Sequence, residues 1–337
     1  MNGVAVPLEP LARVADRVRR VIVVPVARLA PALVVSRERR VVAYGCLGIA
    51  LSLVATLVAP LAVLALGPLL LGVPHLVADA RYLVFRPRLH RERSLVPAAV
   101  VLAGGLALGF GVRAGLAASA CAALLASGPR TRRVLVAAAA ITLVAIAQRA
   151  PFLADVVFFH GHNLVAIGLF VAWRPRGAPM RWRLVVPALF VVASILVVFL
   201  AKTPTGSHWS DLTFASLGET LAPNASLETT TRLVSFFAFA QSVHYLVWLR
   251  LIPEEDRPQT TPRSHVQSLR ALLADIGLPA AFVALAAFVV IAAIALAGRP
   301  ALARDVYLGV AYGHGHLELV ATAWLLACAV RPREATR

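Results

Sequence analysis

Long apolar segments recur along the whole chain, and they limit what it can fold into. With 60% hydrophobic residues, the sequence is far more apolar than that of a water-soluble domain. Because a membrane-spanning helix needs about 20 apolar residues, we expect an all-α fold, a polytopic transmembrane helical bundle of about ten spans. The predicted spans are 41–58, 61–85, 95–112, 114–127, 134–149, 155–173, 184–201, 231–250, 277–297 and 306–330.

Basic residues are distributed unevenly between the loops, and this predicts the orientation of the bundle. If the N-terminus lies in the cytoplasm, 26 of the 33 Lys and Arg residues are cytoplasmic and 6 are external, while Arg81 lies within the second span. Cytoplasmic loops are enriched in Lys and Arg, so we expect both termini in the cytoplasm. The net charge of +17 is then a property of membrane topology. We expect membrane lipids as partners and no nucleic acid.

The chain divides into three predicted parts. Residues 1–40 form a basic N-terminal segment, residues 41–330 form a single transmembrane helical domain, and residues 331–337 form a basic tail. Arg13, Arg17 and Arg20 recur at helical spacing in the first part. That pattern suits either an amphipathic helix at the membrane surface or a disordered basic tail.

Six histidines lie inside the predicted spans, where a polar ring is costly unless another group satisfies it. Ionisable residues in membrane segments are therefore candidates for function. The four spans that carry them run in the same direction, and the helical rise places every ring within about 10 Å of the midplane. The sequence thus predicts one histidine-rich layer, made of His75, His160, His162, His244, His314 and His316.

Each of these four spans also carries a second polar residue about one helical turn from a histidine, on the same face. The pairs are His75 with Asp79, His160 with Asn163, Gln241 with His244, and His314 with Glu318. Metal sites in helical bundles use this arrangement of inward-facing imidazole and carboxyl groups. We therefore predict a metal site with four or five ligands from the six histidines. Asp79 and Glu318 are the candidate catalytic carboxyl groups, able to bind the metal or orient an imidazole.

The two His-Gly-His motifs present a geometric problem. Residues two positions apart lie about 200° apart on a regular helix, so both rings face one site only if the helix is locally unwound. Gly161 and Gly315 would permit such unwinding. Otherwise one histidine of each pair is a ligand and the other packs elsewhere. A further alternative is that the histidines only form hydrogen bonds between helices.

The residue types also indicate the chemistry. A site rich in imidazole and poor in carboxylate suits iron, copper, zinc or nickel. Iron in an apolar cavity suits oxygen chemistry on a lipid-soluble substrate. Aromatic residues near the histidines could line a pocket for such a molecule or could simply pack between helices. They are Phe158, Phe159, Phe236, Phe237, Phe239, Tyr245, Trp248, Tyr307 and Tyr312.

The segment Gly72-Val73-Pro74-His75-Leu76-Val77-Ala78-Asp79 resembles a motif of the Brp/Blh family of bacterial integral-membrane β-carotene dioxygenases. Leu76 stands where that family has glycine, and the His-Gly-His pairs and ten spans depart from its pattern. His160, His244 and His314 occupy places comparable to its later histidines. The resemblance implies an inner-membrane enzyme that uses Fe(II) and O₂ to cleave β-carotene into two retinals.

Two other functional classes remain open. Intramembrane His, Asp and Glu residues also mark transporters and proton or metal channels, so a histidine relay is the main alternative. A bis-histidine haem protein would need only two facing histidines and would leave the others unexplained.

Overall fold

The computed structural model describes residues 9–173, 180–202, 212–257 and 260–328, and all regular secondary structure in these ranges is helical. The all-α prediction is confirmed for this part of the chain. Five of the described helices are long and apolar enough to cross a membrane, which indicates a membrane protein. They are Arg37–Val58, Pro60–Phe85, Arg130–Arg149, Pro151–Trp173 and His265–Leu296. Three shorter apolar helices, Arg93–Ala107, Val112–Leu125 and Leu184–Leu200, accompany them.

The first half of the chain forms helices that follow the predicted spans closely. Prolines occupy the first turn of several of them, where no backbone N–H is needed. The helices are α1 (Glu9–Leu29), α2 (Pro31–Val35), α3 (Arg37–Val58), α4 (Pro60–Gly67), α5 (Val73–Ala80), α6 (Val96–Ala107), α7 (Val112–Leu125), α8 (Arg130–Arg149) and α9 (Pro151–Trp173). Two short 3₁₀ turns, Leu89–Arg91 and Arg93–Leu95, precede α6.

The second half contains two features that the span predictions did not include. The helices are α10 (Met180–Leu200), α11 (Phe214–Leu221), α12 (Leu227–Leu246), α13 (Ile252–Glu255), α14 (His265–Leu296), α15 (Pro300–Ala311) and α16 (His314–Ala327). Helix α11 lies in the loop predicted between the spans 184–201 and 231–250, and it begins at a capping box formed by Thr213 and Ser216. Helix α14 begins twelve residues before the predicted span, and its backbone breaks at Gly277, where φ is +82°.

Three π-helical turns lie next to the helices that carry site residues. Pro68–Gly72 precedes α5, Arg81–Phe85 follows it, and Val247–Leu251 follows α12. Such turns are frequent at functional sites because they shift the register of the side chains. Despite these turns, Pro60–Phe85 is one continuous apolar helical segment of 26 residues.

Helix α12 is central to the bundle and packs against α3, α4, α9, α10 and α11. Helix α16 packs against α7, α8 and α5, while α15 packs against α14. Large side chains fill the main core around α12, and Phe170, Trp173, Phe239 and Trp248 are fully buried there. This packing brings α5, α9, α12 and α16 together, which are the helices that carry the intramembrane histidines.

Ion pairs connect the ends of several helices. Arg40 on α3 donates to the buried carboxylate of Glu254 at 2.6 Å, and Arg81 pairs with Asp275 of α14 at 2.6 Å. Arg81, which lies within the second predicted span, finds this partner on α14, which begins earlier than predicted. Arg257 also pairs with the Glu254 carboxylate, at 2.8 Å, so this buried charge is held by two arginines, and breaking such a buried pair is destabilising.

The described part of the basic N-terminal segment is helical and is tied to the start of α14. The Asp16 carboxylate accepts hydrogen bonds from the backbone N–H groups of His265, at 2.7 Å, and Val266, at 3.2 Å. Burial acts to raise the pKa of Asp16, but these hydrogen bonds outweigh it and the pKa is lowered overall. Glu9 pairs with Arg270 at 2.7 Å. The predicted basic tail, 331–337, lies outside the described residues.

Candidate metal centre

Three buried histidines from distant parts of the chain meet inside the bundle. His75 lies on α5, His244 on α12, and His314 is the first residue of α16. One ring nitrogen of each lies within 4.8 Å of the others, and the Nε2 atoms of His75 and His314 are 3.4 Å apart. His75 and His244 are each only 1% exposed. We call these three residues the histidine triad.

His162 of α9 extends this cluster. Its ring centroid lies 5.4 Å from those of both His244 and His314. The His162 Nδ1 atom faces the Phe159 carbonyl oxygen at 2.9 Å, and the His314 Nδ1 atom faces the Ala311 carbonyl oxygen at 2.5 Å. If each Nδ1–H donates to that carbonyl, the Nε2 lone pair of each ring is left free to bind a metal.

The donor set fits a transition-metal ion, on two observations. Nitrogen ligands at about 2.1 Å from one tetrahedral ion are about 3.4 Å apart, which is the separation of the His75 and His314 Nε2 atoms. A hydrogen bond between those two nitrogens would also explain their contact. It would not explain His244, whose two buried ring nitrogens have no hydrogen-bond partner among the described residues. An ion at the triad would satisfy His244, which is otherwise costly to bury.

Glu318, one of the two candidate catalytic carboxyl groups, lies beside His244. Glu318 is fully buried, and its Oε1 atom accepts a hydrogen bond from Trp248 Nε1 at 3.0 Å. The same oxygen lies 3.7 Å from His244 Nε2. Asp79, 1% exposed, interacts electrostatically with Glu318. Neither carboxyl group is among the three residues whose ligand atoms converge, and Glu318 is the one that lies close enough to orient His244.

Tyrosines border the triad on the side of α15. The Tyr307 hydroxyl lies 3.5 Å from His75 Nδ1 and 3.4 Å from the Tyr245 hydroxyl. The Tyr245 ring packs against His75 with centroids 4.5 Å apart. Gly72 makes room for Tyr307, because a Cβ there would lie 2.4 Å from the Tyr307 ring. This close approach gives Gly72 of the Gly72–Asp79 motif a packing role.

The other two predicted ligands lie elsewhere. His160 Nε2 faces the carbonyl oxygen of Leu221, the last residue of α11, at 2.9 Å. His316 stacks on Phe158 with centroids 4.6 Å apart, and its ring abuts Gly115. Each His-Gly-His motif therefore sends one ring into the cluster and one away from it, the second of the two arrangements that the sequence left open.

The glycines of the motifs do not unwind the helices. Residues 160–162 lie within the continuous helix α9. The break in the other motif falls at Tyr312 and Gly313, before His314 begins α16. Asn163 is buried and donates to the Phe159 carbonyl oxygen at 3.2 Å, so it acts within its own helix.

A cavity of about 520 Å³ opens beside the histidines. His162 and His314 line one part of it, and α11 and the first turns of α15 line another. Of the predicted aromatic residues, it is lined by Phe158, Phe159, Phe237, Tyr307 and Tyr312. Phe239 and Trp248 instead fill the core. Gln241 also lines the cavity, although its predicted partner His244 belongs to the triad.

Sequence reasoning missed two parts of this cavity. Helix α11 was hidden in a polar loop, and Arg304 was counted only as an external basic residue. The available signals were the Thr-x-x-Ser capping pattern at Thr213 and two adjacent charged residues, Arg304 and Asp305, in the otherwise apolar α15. Comparisons of the chain with protein-family models, with curated proteins and with solved structures match nothing.

Proposed function

We propose that this chain is a membrane-embedded, non-haem iron oxygenase that acts on a lipid-soluble substrate. The observation that carries the proposal is a buried histidine cluster whose members His162 and His314 also line an apolar cavity inside the bundle. A substrate dissolved in lipid can enter between helices, so such a site needs no wide aqueous cleft. Fe(II) held by imidazoles with coordination positions left open supplies the activation of O₂.

The proposal assigns a role to each group around the site. His75, His244 and His314 hold the metal, and His162 is the fourth ligand. Glu318, fixed by the indole N–H of Trp248, orients His244, and Asp79 supports Glu318. Outer partners of this kind are worth about 10–100-fold in metal affinity.

Carotenoids are the first substrate class to test. The resemblance of Gly72–Asp79 to the Brp/Blh motif supports this choice, as do the aromatic walls of the cavity. Central cleavage of β-carotene breaks one C=C bond and forms two C=O bonds. Both oxygen atoms of one O₂ enter the two retinal products, so the reaction requires no external reductant.

The topology proposed with this function has ten spans, with both termini in the cytoplasm of a bacterial inner membrane. The charge asymmetry of the loops supports it. In this topology the helices that carry His75, His162, His244 and His314 run in the same direction. A reporter fused after residue 90 or 260 would then read as cytoplasmic.

Expression in a β-carotene-producing bacterium tests the activity. Cells with the wild-type chain should lose their orange colour and accumulate retinal, while cells with His75→Ala should stay orange. If wild-type cells stay orange despite well-expressed, iron-loaded protein, β-carotene cleavage is the wrong reaction. An oxygenase acting on another lipid would then have to be tested directly.

One observation favours the alternative of a transporter or proton channel. Asp79 and Glu318 continue the line of buried polar groups beyond the triad, as a histidine relay would require. Reconstitution in liposomes separates the two proposals. Proton or metal flux that His244→Ala abolishes would favour the channel, and its absence together with O₂-dependent turnover would favour the oxygenase.

A further inference from the structure

The cavity is lined by an arginine that the proposed reaction does not use. Arg304 lies on α15 among lining residues that include the apolar Ala301 and Leu308 and the acidic Asp305, and its side chain is only 16% exposed. From Arg304 to the end of α15 the helix rises by about 10 Å, and the triad residue His314 begins the next helix. The charge therefore lies at some distance from the histidines along one wall of the same cavity.

The partners of this guanidinium are few. Among the described residues its ion pair is with the adjacent Asp305, at 3.4 Å, and the Asp305 side chain is 66% exposed. That contact is long for a charge-assisted hydrogen bond, which typically measures about 2.7–2.9 Å. A guanidinium has five N–H donors arranged to hold two oxygens of one group. Within the described residues, Arg304 is thus a mostly buried cation whose donors remain available to a molecule in the cavity.

A pure hydrocarbon would gain nothing from this residue, whereas a lipid that ends in an oxyanion would. We infer that the cavity binds an amphiphilic lipid whose carboxylate or phosphate group pairs with Arg304 while its apolar chain extends toward His162 and His314. This inference rests on the proposed function for the identity of the site and adds acidic lipids to the ligand classes to test, beyond the hydrocarbon β-carotene. It also fits the mixed lining of the cavity, to which Ser216 and Thr220 of α11 add hydroxyl groups.

Ligand binding to metal-free protein tests the inference without depending on catalysis. The probes are a fluorescent polyene fatty acid, its methyl ester and dodecyl phosphate, titrated into detergent-purified protein treated with a chelator. Wild-type protein should bind the acid at least tenfold more tightly than the ester, because only the acid offers a bidentate partner. Competition by dodecyl phosphate then distinguishes a phosphate preference from a carboxylate preference.

Variants localise the effect. Arg304→Gln should weaken binding of the acid to the level of the ester. The affinity of Arg304→Lys for the acid should lie between those of Arg304→Gln and wild type, because lysine keeps the charge but lacks the paired N–H donors of the guanidinium. The matched control is Arg299→Gln, an exposed arginine just before the same helix. It should bind like wild type.

The inference is overturned if wild-type protein binds acid and ester equally, or if a folded Arg304→Gln variant keeps wild-type affinity for both oxyanions. The comparison of acid with ester on the wild-type chain stands even if Arg304→Gln does not fold. Since no metal is present, failure here leaves the oxygenase proposal intact. Conversely, failure of β-carotene cleavage leaves this inference standing.

Discussion

Gly72→Ala tests whether the close contact between the π-helical turn Pro68–Gly72 and α15 supports the histidine triad. A Cβ at position 72 would lie 2.4 Å from Tyr307 Cε2 and 2.8 Å from two further ring atoms. Carbon atoms pack best at about 3.5–4.0 Å, so the ring must move by roughly 1 Å. Tyr307 is 1% exposed and has little free space, and overpacking of this kind costs about 1–3 kcal/mol. The shift also disturbs His75, whose Nδ1 lies 3.5 Å from the Tyr307 hydroxyl.

The assay is thermal unfolding of detergent-purified protein, with metal content measured on the same sample. Gly72→Ala should unfold at a lower temperature and bind metal more weakly than wild type. Gly161→Ala is the matched control, since no heavy atom lies within 4 Å of a Cβ there. Alanine inside a helix should stabilise it by about 0.5–1 kcal/mol. A Gly72→Ala protein that equals wild type in both measurements would refute the reasoning.

Two further predictions concern the two histidines of the first His-Gly-His motif and the contact of the N-terminal helix α1. His162→Ala should lower metal affinity by more than about tenfold. His160→Ala should keep full metal occupancy, because the His160 ring faces Leu221. Metal titration of the two variants measures the difference, and equal losses of affinity would contradict the assignment. The pKa of Asp16 is lowered in the folded protein. The Asp16 carboxylate therefore stabilises the α1–α14 contact above its unfolded-state pKa of about 3.9, and this stabilisation is lost as the pH falls through its pKa in the folded protein. Limited proteolysis should therefore release α1 more readily at low pH. In the Asp16→Asn variant, proteolysis should release α1 readily at neutral pH as well. An Asp16→Asn variant with the cleavage rate and pH profile of wild type would count against this contact.

The sequence predicted most of the helices because their apolar runs are long and uninterrupted. The first predicted span, 41–58, matches Arg37–Val58 apart from a charged first turn. Span nine, predicted at 277–297, begins twelve residues too late. In the structure the helix starts at the Ser264 capping box and continues through the Gly277 break. Local sequence signals thus predicted the helices but did not predict that α14 continues across the break at Gly277.

For the site, the sequence predicted the layer of histidines but not which rings converge. Depth in the membrane follows from position along a helix, so all six were expected in one layer. The direction of each ring depends on how the helix is rotated, which packing decides. Helix α9 turns His162 toward the triad and His160 toward Leu221, and the start of α16 at His314 directs His316 toward Phe158. No pattern in one sequence determines those rotations.

The most direct test of the metal centre is metal analysis of protein purified from iron-replete cells, alongside single histidine variants. We expect about one iron per wild-type chain and loss of that iron in His75→Ala, His244→Ala and His314→Ala, because a metal site is lost with its ligands. His90→Ala removes an exposed loop histidine and should retain the iron. A wild-type chain without any bound transition metal, or triad variants that keep full occupancy, would contradict the account.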